Sequence, residues 1–330
     1  MLSLEIVGEG NKKKLANKCV LLRVDWNVPL KRSPGGYLMV ADDTKIVSSI
    51  GILRLLRSVT SKIVILTHLG RPGTSESDLS TKIIVDYFNK KYSPLRMKFF
   101  NFAETSEHNF VNKEMERLDK IGDFDFYMVE NTRFFGSREL KNDLSLAQHF
   151  LAFSDVLIFE AFAVIHRSHA SVVGIIELAK EMFLGPAFNL ERKHLDKIKF
   201  APTRPFISLI GGAKCSDKTR LLTHMMKICD YLLVGGGIAN TFLKISGIFV
   251  GNSLVEKDPE IIDELSELFK KNKKKIILPL DGIVLNRKSG NVRTVVYSED
   301  NLNKDEEILD IGLDTVKSFK YLIFLASTIF

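Results

Sequence analysis

FISLIGGAKCSDKTRLLTHMMKICDYLLVGGGIANTFLK, residues 206–244, runs through one arrangement twice: an apolar β-prone run, a glycine turn, then a stretch with helical spacing. FISLI (206–210) and YLLVG (231–235) read as strands, and Leu221, Leu222, Met225 and Met226 between them fall on one helical face. Strand, helix and strand in that order make a βαβ unit, whose strands pair in parallel beneath covering helices. The pattern extends in both directions. CVLLRV (19–24), KIVILT (62–67), FYMVE (126–130) and DVLIF (155–159) precede it as strand candidates, and KIILPL (275–280) and YLIFLAST (321–328) follow. Ile46, Ile50, Leu53 and Leu56 share a helical face, as do Ile83, Ile84, Tyr87 and Phe88, and Asp258 before Pro259 marks a helix start. The spacing predicts an α/β fold of parallel sheets layered with helices.

With 330 residues, 45% of them apolar and 26% charged, the chain exceeds what one core usually holds, so two domains are expected. The alternation pauses near Gly185 and Pro186 before the helix-like NLERKHLDKIK, which sets the expected domains at 1–186 and 187–330. A net charge of +7, spread rather than striped, suits acidic ligands and gives no sign of nucleic acid. The run KKNKKK (270–275) reads as the solvated end of a helix. Cys19, Cys215 and Cys229 are few, odd in number and without metal-ligand spacing, as in a reducing cytoplasm. MLSLEIVGEGNKKK at the start lacks the apolar stretch of a secretory signal, and no run reaches the roughly 18 apolar residues of a membrane span. A cytoplasmic protein without a membrane partner is expected.

Four arginines stand just past apolar runs in the first half: Arg23 in RVDWNVP, Arg71 in THLGRPG, Arg133 in ENTRFF and Arg167 in IHRSH. A parallel sheet presents the carboxyl ends of its strands along one edge, so such residues converge on one crevice. Guanidinium forks gathered with His68, His166 and His169 suit a small ligand with several negative charges. His166 and His169, three apart, suggest a metal site, but no third ligand is evident and hydrogen bonding or packing is preferred. In the second half, glycines at strand-to-helix turns let backbone approach an anion, and Lys214 and Lys218 follow the first turn closely enough to lean toward a phosphate. Neither turn has Walker A spacing, and tight packing is the competing explanation for each. A dehydrogenase is disfavoured, because the first strand is not followed by GxGxxG and a later acidic residue. A nucleotide on the second half and an anion on the first would make a phosphoryl-transfer enzyme.

RVDWNVPL, DDTKI, THLGRPG, ENTRFF, AFAVIHRSHAS, RPFISLIGGAKCSDK, VGGGIANTFLK, VGNSLVE and DIGLDT resemble, in order and spacing, the motifs of the phosphoglycerate kinase family. The resemblance covers essentially the whole chain. It implies two Rossmann-like parallel-sheet domains, three-layer αβα, joined by a hinge, with the second domain incomplete. The implied reaction is glycolytic transfer of a phosphoryl group between 1,3-bisphosphoglycerate and ADP, with Mg2+ accompanying ATP or ADP, in a protein that is generally a monomer. By the same resemblance, Asp25 and Asn27 meet the substrate's hydroxyl and carboxylate end, and His68, Arg71, Arg133 and Arg167 meet its charged oxygens. Lys214 and Lys218 contact the nucleotide phosphates and the group in transit; Gly211, Gly212 and Ala213 form the phosphate turn, and Gly235, Gly236 and Gly237 the wall beside the adenine. Read from the residues alone, Asp25 could instead cap a turn, Asn27 set the Val-Pro bend and Arg133 pair with an acidic neighbour.

The chain also departs from the family pattern. Lys45 stands in DDTKI where most members place an arginine that contacts the transferring phosphoryl; lysine keeps the charge without the bidentate fork. Phe159, Glu160, Ala161, Phe162 and Ala163 replace the NDAFG stretch at the expected floor of the substrate crevice. YLIFLASTIF reads as an interior strand and stops where members continue into WNGP and a further glycine turn. That continuation would bring the magnesium ligand, so none is expected within this chain. Two readings follow: a kinase whose sequence is incomplete, or a non-catalytic relic that still binds phosphorylated ligands.

Overall fold

A computed structural model of the protein describes residues 5–60, 62–72, 79–100, 124–152, 154–216, 218–299 and 302–330. The chain divides into two compact units, Met1–His194 and Leu195–Phe330.

The first unit holds β1 (Val20–Arg23), β2 (Leu30–Arg32), β3 (Leu38–Val40), β4 (Ile63–Leu66), β5 (Met97–Phe100), β6 (Phe126–Val129), β7 (Val156–Phe159) and β8 (Met182–Leu184). Six of them form one sheet in the order β5-β6-β4-β1-β7-β8, paired in parallel throughout, while β2 and β3 make a separate hairpin. Successive side chains on a strand face opposite ways. Val20 and Leu22 accordingly pack with Leu53, Leu56, Ile84 and Phe88 on one side, and Leu21 packs with Phe150, Leu157 and Ile175 on the other. The face predicted for Ile46, Ile50, Leu53 and Leu56 is divided between two helices, Thr44–Val47 and Ile50–Arg57.

The second unit holds β9 (Phe206–Ile210), β10 (Tyr231–Val234), β11 (Ile276–Ile277), β12 (Asp281–Asn286), β13 (Val292–Val296), β14 (Glu306–Ile311) and β15 (Thr328–Ile329). A parallel four-stranded sheet runs β11-β10-β9-β15, and an antiparallel three-stranded sheet runs β13-β12-β14. Helices Thr219–Ile228, Gly236–Ile245 and Pro259–Asn272 contribute Leu222, Phe242 and Leu265 to a core with Phe206 and Leu232. Phe319 of helix Leu313–Leu325 packs with Ile207 and Leu233, so this helix covers the opposite face. Asp258 caps its helix as predicted, its carboxylate accepting from the Glu260 amide at 3.0 Å with Pro259 in the first turn.

The strand predicted over 321–328 is a correction. Tyr321–Leu325 completes a helix, and only Thr328–Ile329 joins the sheet, beside β9. The helix begins upstream, where Asp281 accepts from the Asp314 and Thr315 amides, and Phe319, Leu322 and Ile323 continue its inward face. An apolar run short enough for either period takes the period of the element already under way. The strands β5, β8 and β12–β14 carry too few alternating apolar positions to show in the sequence.

Candidate active site

Strands β1, β4, β6 and β7 lie side by side in parallel, with Arg23 aligned to Leu66 and Phe159. The segments leaving their carboxyl ends carry Asp25 and Asn27, then His68 and Arg71, then Arg133, then Arg167. Arg71, Arg133 and Arg167 line one cavity of about 470 Å³ together with His166, His169, Pro72, Gly136 and Leu140. The predicted convergence of these arginines is therefore present.

Backbone contacts hold the loops to one another. Asn27 Oδ1 accepts from the Gly70 amide at 2.8 Å, and an Arg133 Nη1 donates to the Gly70 carbonyl, so the loop carrying Arg71 is gripped by two of the predicted residues. Asn131, fully buried, accepts from the Leu69 and Arg133 amides and donates to the Leu69 and Leu79 carbonyls. Asp25 lies close by. Its Oδ2 pairs with Lys45 Nζ at 2.8 Å, while its Oδ1 accepts from the Asn27 amide at 3.3 Å and sits 3.9 Å from His68 Nδ1. Asp25 thus makes the local turn that the sequence allows and also holds the cation at position 45.

The cluster is strongly positive. Burial, and then Arg23, Arg133, Arg167 and Lys45, push the His68 imidazole down to about 2, leaving it neutral at physiological pH. Its Nδ1 is buried without a hydrogen-bond partner. Burial and then Arg167 and Arg71 lower Arg133, and burial and then Arg167 and Arg133 lower His169. Burial leads each of these shifts and the neighbouring cations add to it, so an anion entering the cluster would meet positive charge already held out of water.

Arg23 does not share that cavity. The residue is 1% exposed, with Nε donating to the Ser171 carbonyl at 3.0 Å and Nη1 to the Val24 carbonyl. This corrects its grouping with the other three: as the last residue of β1, it turns into the interior.

Glu160, expected at the crevice floor, is buried at the start of helix Pro186–Phe200. Its carboxylate oxygens accept from the Ala187 amide at 3.1 Å and the Phe188 amide at 3.3 Å. Glycine at position 185 leaves room for this carboxylate, because a Cβ there would lie 1.7 Å from Glu160 Oε2 and displace it. Burial pushes the carboxyl up to about 7 against the pull of the two amides. Ala163 belongs to a single turn, Phe162–Val164.

In the second unit the two glycine turns pack against each other. The Ile238 amide donates to the Gly212 carbonyl at 3.2 Å, and a Cβ on Gly237 would meet the Ala213 carbonyl oxygen at 2.4 Å. Gly212, Ala213, Gly236 and Gly237 line a cavity of about 260 Å³ that Leu254, Pro279, Tyr297, Leu309 and Ile311 close with apolar surface. Such a slot suits a flat heterocycle. Lys218 precedes helix Thr219–Ile228, and its Nζ would be 2.7 Å from a Cβ on Gly212, so its ammonium overhangs the first turn. Lys214 is exposed on the same turn, and Gly211 and Gly235 are not among the residues that line the cavity. Leu254 falls within VGNSLVE, and Leu309 and Ile311 in or beside DIGLDT, so those motifs carried a signal for the apolar wall that strand and helix periodicity did not.

Among the described residues no group of three or more His, Cys, Asp or Glu side chains is arranged to hold a metal ion. The pair His166 and His169 instead borders the arginine cavity.

Comparison with known proteins agrees with the geometry. The profile of the phosphoglycerate kinase family matches residues 11–330. The chain is 34% identical over 318 residues to phosphoglycerate kinase of Pseudothermotoga lettingae, covering 96% of this chain and 77% of that protein. Against phosphoglycerate kinase of Lactobacillus gasseri the identity is 35% over 327 residues, with 96% of this chain and 77% of the relative covered. The solved structure of phosphoglycerate kinase from Coxiella burnetii superposes with a TM-score of 0.78 at 28% identity, covering 99% of this chain and 79% of that one. With a family match over nearly all its residues and the sheet edge and glycine turns built as described, the chain belongs to the phosphoglycerate kinase family.

Proposed function

We propose that this protein is an ATP-dependent 3-phosphoglycerate kinase that holds 3-phosphoglycerate or 1,3-bisphosphoglycerate in the cavity of Arg71, Arg133 and Arg167. The observation that carries the reading is the convergence of these guanidiniums on one cavity whose lining, among the described residues, includes no carboxylate. Each fork matches two oxygens of a phosphate or carboxylate. Asn27 holds the Arg71 loop in place, and neutral His68 offers a ring N–H without adding charge. Lys45 carries the cation nearest the reacting end and is steered there by Asp25.

The adenine lies in the apolar slot beside Gly236 and Gly237, and its phosphates follow the Gly211–Lys214 turn toward Lys218. Magnesium arrives with the nucleotide as Mg-ADP or Mg-ATP. Donor and acceptor oxygens are already anions, so the protein moves no proton; it aligns the ligands and stabilises charge on the group in transit. A phosphoryl group passes only between ligands in contact with water excluded, so the reading includes a closed, hinge-bent state. The protein acts as a cytoplasmic monomer, and among the described residues no helix is long and apolar enough to cross a membrane.

Calorimetric titration of 3-phosphoglycerate, repeated with Arg133→Gln and Arg167→Gln, tests the site. Saturable binding that weakens with salt and falls about tenfold or more in either variant is expected, from the loss of a bidentate charge-assisted pair. Equal binding by all three proteins would sink the assignment. A coupled ATP assay then reads turnover directly.

A further inference from the structure

Behind the arginine cavity lies a carboxylate that the reaction as described does not use. Glu139, in helix Ser137–Leu140, is 1% exposed. Its Oε2 accepts from the Ser171 amide at 3.0 Å, and its Oε1 accepts from Ser171 Oγ at 2.5 Å. The same Oε1 lies 3.6 Å from Nδ1 of His169. Arg23, on the other side, donates Nε to the Ser171 carbonyl at 3.0 Å. Ser171 is fully buried, so both of its donors and its acceptor are engaged, by an anion on one side and a cation on the other. His166, Arg167 and His169, which line the cavity, precede it by five, four and two residues.

The geometry points to Glu139 as a positioning residue for the substrate site: with Arg23 it clamps Ser171 and so fixes the loop that presents Arg167 and His169 to the ligand. The inference rests on the reading of that cavity as the 3-phosphoglycerate site. An arginine contributes to anion binding only if its fork is held at the right place, and a displacement of about 1 Å is enough to cost up to about 10²-fold. Two backbone groups of one residue, held from opposite sides by a buried charge pair, supply that rigidity. The pair also explains why the last residue of β1 is an arginine turned inward: Arg23 and Glu139 offset one another's burial, each drawing the other toward its charged form.

Glu139→Gln keeps the side-chain shape and one acceptor while removing the charge and the second acceptor. Calorimetry on the full chain, well below its melting temperature, measures 3-phosphoglycerate and ADP separately. The clamp predicts a Kd for 3-phosphoglycerate raised about tenfold with the Kd for ADP unchanged. It also predicts that Glu139→Gln adds less in an Arg167→Gln background than in an Arg71→Gln background, because Arg167 lies on the clamped loop and Arg71 does not. Ser171→Ala deletes the hydroxyl donor alone and is expected to raise the same Kd about two- to threefold; it decides the matter if the first variant does not fold. Folded variants that bind 3-phosphoglycerate as the parent does overturn the clamp. A parent that binds no 3-phosphoglycerate overturns the site assignment beneath it.

Discussion

Replacing Glu160 with glutamine isolates one buried titration. The carboxyl sits at about 7 in the folded protein against an ordinary 4.5, chiefly because burial disfavours the charged form. Between those pH values the folded state binds a proton that the unfolded chain has released. Its stabilising contribution is complete below about 4.5 and is lost as pH rises through about 7. At about 1.4 kcal/mol per pH unit, the interval from 4.5 to about 7 corresponds to about 3 kcal/mol. Glutamine does not titrate, so relative to the parent Glu160→Gln should gain about 2.5 kcal/mol in stability between pH 5 and pH 8, whatever its absolute offset. The offset itself is expected to be unfavourable, since the amide accepts from one of the Ala187 and Phe188 amides and leaves the other unpaired. Urea unfolding followed by tryptophan fluorescence reads the first unit directly, because Trp26 is the sole tryptophan and is fully buried beside Phe88. A parent-to-variant difference that changes by less than about 1 kcal/mol over this range would refute the reasoning.

Lys45→Arg restores a bidentate fork beside Asp25 and should raise turnover at least about tenfold in the coupled assay; a fall would show that the pocket is built around the Asp25–Lys45 contact at 2.8 Å. Gly237→Ala places a methyl 2.4 Å from the Ala213 carbonyl oxygen and must push the phosphate turn away. ADP affinity measured by calorimetry should drop about tenfold, with 3-phosphoglycerate binding unaltered. The His68 ring, held at about 2 by burial and its cationic neighbours, should show no titration between about pH 5 and 8 by NMR; a midpoint inside that window would contradict the electrostatic account.

The second half is legible where local chemistry dictates local structure. Asp258 and Pro259 announce a helix because a short carboxylate and a missing N–H both suit its first turn, and the glycines at 212, 236 and 237 announce turns that a side chain would strain or block. Tyr321–Leu325 is not legible in this way, because an apolar stretch that short fits a strand or a helix equally, and the deciding contact comes from Asp281, far upstream. The arginine cavity can be anticipated from strand endings alone, since parallel pairing carries Arg71, Arg133 and Arg167 to one edge. Arg23 cannot be separated from them by that rule, because the direction of its side chain depends on Ser171 and on Glu139, neither of which is near it in sequence. What stays hidden is the support behind the site, which is made of tertiary partners with no spacing rule.

That support answers a physical difficulty that the site creates for itself. Burial lowers Arg133, His68 and His169 most, and the repulsion of neighbouring cations lowers each of them further. Neutralising the arginines with carboxylates along the cavity wall would relieve it and destroy the affinity for an anion. The chain instead keeps both imidazoles down, commits Arg133 and Asn27 to the Gly70 backbone, and places Glu139 behind the loop rather than in the cavity. Asp25, the carboxylate beside His68, is itself paired with Lys45. Repulsion left unrelieved until a polyanion enters makes binding free energy available for ordering the site, so stability held back in the empty protein becomes affinity in the complex.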